Sequence, residues 1–256
     1  MTSISVHFLP SLTTPDELAG GTVVMIDILR ASTTITHALA AGAKVVIPCG
    51  EVEEARQLAA KLPGNSCVLG GERKGLPIEG FTFGNSPQDY TSSAVAGKQV
   101  IFTTTNGTAA LLQCRSAAKV FIGAFVNLSA IVARIQQEES IHLLCAGTGG
   151  QITREDVLFA GALTQRLITQ GAGQWSLNDQ ARIAVDAWIT SFIVDGQPID
   201  PTPESLAATL LQTQGGRNLS RIGFAQDIET VARIDLFSIV PELNLDCWQI
   251  TATASP

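Results

Sequence analysis

Val23-Val24-Met25-Ile26-Asp27-Ile28-Leu29-Arg30-Ala31-Ser32-Thr33-Thr34 decides the fold. Four successive apolar residues read as a strand buried on both faces, and that burial is typical of a parallel sheet. The run then turns polar at Asp27, and a helical pattern follows from about Ser32 to Ala41. Outward from there the same alternation repeats. Lys44-Val45-Val46-Ile47 is a strand, and Glu51 to Leu62 is an Ala-rich amphipathic helix ended by Pro63-Gly64. Val100-Ile101-Phe102-Thr103 is a strand, followed by the turn Asn106-Gly107 and a helix from Thr108. Ile141-His142-Leu143-Leu144-Cys145 is a strand, followed by Ala146-Gly147-Thr148-Gly149-Gly150 and a helix from about Arg154 to Thr169. Strand–helix alternation implies an α/β fold, a layered α/β/α arrangement around a mostly parallel or mixed sheet.

Two of these units can be laid over each other without a gap. Ile26 then meets Ile101, Thr33 meets Thr108, and Ala43-Lys44-Val45 meets Ala118-Lys119-Val120. An internal βαβ pseudo-repeat and the shared grammar of βαβ units both account for this. In either case a polar loop leaves the carboxyl end of a strand, where open α/β sheets build their sites.

The last third is more helical. Ser176-Leu177-Asn178-Asp179 has the spacing of a capping box opening a helix toward Val194, and Asp195-Gly196-Gln197-Pro198 is a turn. Short helices follow from Pro203, from Gly215-Gly216 and from about Gln226; the regular pattern ends near Pro241 and the final residues read as loose. With no linker, residues 1–256 form a single unit, with lobes at about 1–130 and 131–256 as the alternative.

With 256 residues, 45% of them hydrophobic, the chain can bury a sizeable core. A formal charge of −7 argues against nucleic acid or an anionic membrane as partner, but not against a small anion at a locally positive site. No leader-like segment opens the chain and no apolar run nears the ~20 residues of a membrane span. Cys49, Cys67, Cys114, Cys145 and Cys247 show neither zinc nor disulfide spacing, so a reduced, cytoplasmic setting is expected. A homo-oligomer is compatible with all of this.

Four stretches can carry chemistry. Gly70-Gly71-Glu72-Arg73-Lys74-Gly75-Leu76-Pro77-Ile78-Glu79-Gly80-Phe81-Thr82-Phe83-Gly84-Asn85-Ser86-Pro87 is too rich in glycine and proline for a helix or core strand. A long loop holding two acids and two bases is either functional or simply solvated. Asp27 closes a strand, and Arg30 with the hydroxyls of Ser32, Thr33 and Thr34 opens a helix, an arrangement suited to phosphate. The alternative is a capping Ser32 and a surface Asp27–Arg30 pair. Thr103-Thr104-Thr105-Asn106-Gly107-Thr108 reads as an anion nest or an ordinary tight turn. Gly147, Thr148, Gly149 and Gly150 let a backbone approach a ligand, and Asp156 is either a capping residue three after Thr153 or a metal ligand. A dinucleotide fingerprint from Gly147 fails at Ile152, and a cysteine-phosphatase loop from Cys145 fails at Gln151. His7, His37 and His142 sit in no motif.

Taken in order, the runs Ile26–Thr34, Gly71–Phe81, Gly84-Asn85-Ser86-Pro87, Thr104–Thr108, Cys145–Thr148 and Gly215-Gly216-Arg217-Asn218-Leu219 resemble the 2-phosphosulfolactate phosphatases from about residue 20 to 242. One departure is Gln151-Ile152-Thr153-Arg154-Glu155-Asp156, where a Ser-Leu-Glu-Asp-like start is expected; the acids are retained. The resemblance implies an α/β fold of its own type. It also implies Mg²⁺-dependent hydrolysis of 2-phospho-3-sulfolactate to 3-sulfolactate and phosphate, an early step toward coenzyme M. Another small phospho-hydroxy acid and a non-catalytic anion sensor are the alternatives. On this basis Asp27, Glu72 and Asp156 are expected to face Mg²⁺. Arg30, Arg73, Asn106 and Gly107 are expected to hold the phosphoryl group. Ser32, Asn85, Thr105, Gly147 and Thr148 would line the substrate, with Arg217 and Asn218, backed by Lys74, on its other anions.

Overall fold

The computed structural model describes residues 2–170 and 174–254. In chain order its elements are β1 (Ser3–His7), β2 (Thr22–Ile26), α1 (Ala31–Ala40), β3 (Val45–Pro48), α2 (Val52–Ala60), β4 (Cys67–Arg73), β5 (Leu76–Pro77) and α3 (Ser92–Val95). Then come β6 (Gln99–Thr103), α4 (Gly107–Gln113), β7 (Lys119–Gly123), α5 (Leu128–Ile135), β8 (Ser140–Cys145), α6 (Arg154–Gln170), β9 (Ser176–Leu177) and α7 (Asp179–Ser191). The chain continues through β10 (Ile193–Val194), β11 (Gln197–Pro198), α8 (Pro203–Leu211), α9 (Gln214–Arg221), α10 (Gln226–Val231), β12 (Ile239–Asn244) and β13 (Gln249–Ala254).

Among the described residues, eleven strands form one mixed sheet in the order β5-β4-β6-β3-β13-β12-β7-β2-β8-β1-β9. The layered α/β/α expectation holds, and period-two alternation shows how. Val23 and Met25 of β2 enter one core with α1 and α4, whereas Val24 and Ile26 enter the other with α5, α6 and α7. Both faces are covered, so the run is apolar throughout.

β4, β6 and β3 are mutually parallel, as are β7, β2, β8, β1 and β9. The antiparallel hairpin β12–β13 lies between the two groups, pairing with β7 on one side and β3 on the other. Three antiparallel junctions in a row make the groups run in opposite senses. The two overlaid units therefore cross: β2 leads through α1 to β3 in the other group, and β6 leads through α4 back to β7. The starts of α1 and α4 abut, since a Cβ on Gly107 would lie 2.9 Å from Ala31 Cβ.

Three expectations are corrected. Gly70–Arg73 is not loop but the end of β4. Its glycines are demanded by neighbours, because a Cβ on Gly70 would sit 2.0 Å from the Tyr90 hydroxyl and one on Gly71 1.9 Å from the Thr103 carbonyl oxygen. Ser176 caps nothing. It begins β9, and Asn178 is the N-cap of α7, accepting from Ala181 N–H at 2.8 Å. The stretch after Pro241 is not loose, since β12 and β13 complete the middle of the sheet; Ser255 and Pro256 lie outside the described residues. Among the described residues no helix is long and apolar enough to cross a membrane.

Candidate active site

The loop after β2 satisfies itself. Asp27 N–H donates to Ser32 Oγ (2.7 Å), Ser32 N–H to the Asp27 carbonyl (2.9 Å), and Thr33 Oγ1 to the Ile28 carbonyl (3.2 Å). Ser32 is fully buried and does not line the pocket, so its hydroxyl shapes the loop. Thr34 Oγ1 donates to the Asn85 carbonyl at 2.9 Å and draws in the loop after β5. The Asp27 carboxylate accepts only a long bond from Ala31 N–H (3.3 Å), and its Oδ2 lies 2.9 Å from where a Gly107 Cβ would be. Gly107 thus serves by close approach: any side chain there would displace Asp27.

At the end of β4, alternation separates neighbours. Glu72 faces the pocket; Arg73 faces away and donates to the Glu72 and Gly50 carbonyls and to Thr103 Oγ1 (2.8, 3.1 and 2.9 Å). Arg73 therefore does not line the pocket. Lys74 (φ 56°) and Gly75 (φ 81°) make a two-residue turn into β5, both left-handed as such hairpins require. Glu72 is clamped from both sides, by Gly75 N–H at 2.6 Å and Thr105 N–H at 2.7 Å.

Arg30 is 2% exposed and pairs with Asp227 of α10 at 2.6 Å. It also donates to the Gly75 carbonyl (2.9 Å) and stacks over Phe224 at 4.6 Å. Asp227 in turn accepts from Ser86 Oγ at 2.6 Å. This pair joins the first and last thirds of the chain. Nothing in the sequence near Asp227 marks it, because its partner lies 197 residues away.

Asp156 does a similar job behind the pocket. Its Oδ1 accepts from Ile28 N–H and its Oδ2 from Gly147 N–H, both at 2.9 Å, latching the loops after β2 and β8 together. Gly147 is buried, and its Cβ would meet Leu9 at 2.3 Å. Asn106 Oδ1 accepts from Gly149 N–H at 3.1 Å, which joins the loops after β6 and β8.

The Gly215-Gly216 start of α9 is tightly packed. A Cβ on Gly215 would lie 2.0 Å from Glu155 Oε1, and one on Gly216 2.1 Å from the Leu210 carbonyl oxygen. The Glu155 carboxylate packs directly against this helix start. Past that start, residues 215, 218, 219 and 222 share one helical face and line the pocket, as does Arg221. Arg217 turns away and bonds to the Gln212 carbonyl.

These elements enclose a pocket of about 380 Å³. Of the expected residues, Asp27, Arg30, Glu72, Lys74, Asn85, Thr105, Asn106, Thr148 and Asn218 line it. Ser32, Arg73, Gly107, Gly147, Asp156 and Arg217 do not. The sequence reading overlooked Arg221, Asp227 and Glu155; the helical spacing from Asn218 was the one available signal, and it points to 221 and 222.

Acids dominate the electrostatics. Burial pushes the Asp27 carboxyl up to about 7, aided by repulsion from Glu72 and Glu155 and opposed by the Ala31 N–H bond and Arg30. Burial likewise raises Glu155, and it raises Asp156 well above the ordinary range. Two observations mark a ligand here. The Asn85 Oδ1 is buried and unpartnered on the pocket wall, and Asp27 and Glu72 are repelling carboxylates on one surface. Among the described residues no three His, Cys, Asp or Glu side chains converge as a metal cage. Two acids are still a fitting donor set for magnesium, which takes few protein oxygens and keeps its waters. Cys145 is fully buried with its thiol raised well above its usual value, which leaves no thiolate chemistry there.

A family model described as 2-phosphosulpholactate phosphatase matches residues 7–246. The probable 2-phosphosulfolactate phosphatase of Pseudothermotoga lettingae is 36% identical over 238 residues, covering 93% of this chain and 94% of that one. Those of Symbiobacterium thermophilum and Thermotoga maritima are each 37% identical, over 88% and 87% of this chain and 92% and 88% of theirs. The chain belongs to the 2-phosphosulpholactate phosphatase family, whose members are phosphoric monoester hydrolases.

Proposed function

We propose that this chain hydrolyses 2-phospho-3-sulfolactate to 3-sulfolactate and phosphate with Mg²⁺. The observation that carries the reading is one pocket in which Asp27 and Glu72 face Asn85, Thr105, Asn106 and Thr148, in a chain of this family. Asp27 and Glu72 would hold the magnesium ion, which when bound offsets phosphoryl charge and polarises the P–O bond. Asp156 supports them indirectly, by fixing the loops that carry Asp27 and Thr148.

The chain's own groups do the rest. The side chains of Thr105, Asn106 and Thr148 donate to the phosphoryl oxygens, and the unpartnered Asn85 Oδ1 accepts from a ligand hydroxyl or a metal-bound water. The guanidinium of Arg30, immobilised by Asp227 and the Gly75 carbonyl, is a fixed positive charge that needs no reorganisation as the transition state forms. Leu29, Leu219 and Ile222 exclude water from the remaining surface. Alignment and preorganised charge then carry most of the rate, as in phosphoryl transfer generally.

The test is turnover of a panel of phospho-hydroxy acids, with and without Mg²⁺, by the wild type, Asp27→Asn and Glu72→Gln. Turnover led by phosphosulfolactate and lost in both variants is expected. Near-wild-type kcat in both folded variants sinks the site assignment. Ligand-induced stabilisation without turnover under any metal identifies a sensor instead.

A further inference from the structure

We infer that Arg221 and Lys74 form a second-anion subsite, and that Glu155 positions it from beneath α9. This deepens the proposed function and rests on it.

The cations of the pocket are not equivalent. Arg30 is already committed to Asp227 and the Gly75 carbonyl, so its fork is not free to grip a second substrate anion. Lys74 and Arg221 also line the pocket, yet neither forms an ion pair among the described residues. Arg221 has only a long contact, 3.4 Å, to Asn218 Oδ1. Lys74 is held at the lip by a left-handed turn whose next residue is bonded to Glu72. Two repelling acids and two uncommitted bases therefore share one pocket, and the Lys74-Gly75 turn meets the end of α9, since a Cβ on Gly75 would lie 2.8 Å from Ile222 Cδ1. A ligand that satisfies both carries a phosphoryl group and at least one further carboxylate or sulfonate on a short carbon chain. A simple alkyl phosphate would leave Lys74 and Arg221 unused.

The orientation of Arg221 depends on where α9 sits, and Glu155 sets that. Glu155 is 1% exposed, and its Oε1 is so close to Gly215 that only glycine fits. Gln214 adds a bond to Gln151 at 3.0 Å, tying the same helix start to the loop before α6. Glu155 does not line the pocket, so it acts through α9 and is a positioning residue.

Kinetics on three substrates tests this: phosphosulfolactate, phospholactate (no sulfonate) and isopropyl phosphate (neither anion). The wild type should prefer them in that order. Arg221→Met and Lys74→Met should each cost about 10–100-fold in kcat/KM on the first, mostly through KM. Both should leave isopropyl phosphate within about twofold, since no transition-state contact to the phosphoryl group is lost. Arg221→Lys should recover part of the loss. A loss shared with phospholactate assigns the carboxylate to this subsite; a loss confined to phosphosulfolactate assigns the sulfonate. Glu155→Gln, which keeps the shape, should stay near wild type. Glu155→Ala should copy the KM pattern of Arg221→Met on the anionic substrates and spare isopropyl phosphate. Equal losses on all three substrates, or none, overturn the subsite. Absence of wild-type turnover on every substrate would overturn the phosphatase reading itself.

Discussion

Asp27→Asn should make the metal-free protein less sensitive to alkaline pH while abolishing activity. The Asp27 carboxyl titrates near 7 in the folded protein against an ordinary 3.8, so the native state binds its proton more tightly than the unfolded chain does. An acid shifted upward costs nothing below its unfolded value, costs progressively more as pH climbs, and costs in full above its folded value. A rise from 3.8 to about 7 corresponds to about 4 kcal/mol, a large share of a domain's net stability. Burial is the main cause and repulsion from Glu72 and Glu155 adds to it, so a neutral isostere removes both. Asn keeps an oxygen for the Ala31 N–H and adds no volume against Gly107. The assay is urea unfolding in chelator at about pH 5 and about pH 8. Because part of the cost is already present at pH 5, wild type should lose about 2.5 kcal/mol more than the variant between the two. Excess Mg²⁺ should restore wild type at the higher pH and leave the variant unmoved, by mass action on the native state. A wild-type-to-variant difference that is the same at both pH values refutes the reasoning, because a purely steric effect would not titrate.

Gly215→Ala should destabilise the protein by about 1–3 kcal/mol in thermal unfolding, because its Cβ has no room beside Glu155; adding Glu155→Ala should relieve the clash in a double-mutant cycle. Arg30→Met should cost about 3–5 kcal/mol by leaving Asp227 buried and uncompensated, and Asp227→Leu on top of it should return part of that, read from denaturant midpoints. Cys145→Ala should keep kcat within about twofold while losing about 1–2 kcal/mol of stability to a small cavity; a collapse in kcat would reinstate thiol chemistry.

What the sequence conveyed depended on how locally each feature is determined. Val23–Ile26 was readable as a strand because both its faces are buried, so four apolar residues stand together. Helices α1, α2 and α6 were readable from period and end signals. β4 was hidden because Gly70 and Gly71 are required by Tyr90 and by the Thr103 carbonyl, and neither requirement is visible in the run itself. β12 and β13 were hidden because Pro241 reads as a breaker; there the strand carries on paired with Ala252 of β13, and from Glu242 it pairs with β7 as well. In the site, Asp27, Glu72, Asn85 and Asn106 were found because each lies at a strand's end or in a polar loop after one. Asp227 and Glu155 were not, because their meaning lies in partners far along the chain. Arg217 was singled out because it follows the glycines, whereas the residues of α9 that line the pocket include 218 and 221.

The place of β12 and β13 also bears on the order of assembly. They are the last of the described elements in sequence, yet they sit in the middle of the sheet. A nascent chain halted before Ile239 would leave the facing edges of β3 and β7 open, apolar and unpaired. The two parallel groups could each begin to form during synthesis, but their joining must wait for the final hairpin. Ribosome-stalled or C-terminally clipped molecules should therefore be sticky and promptly degraded rather than partly active. Fusion partners attached near Ala254 will report on the centre of the fold, although they are joined at its end.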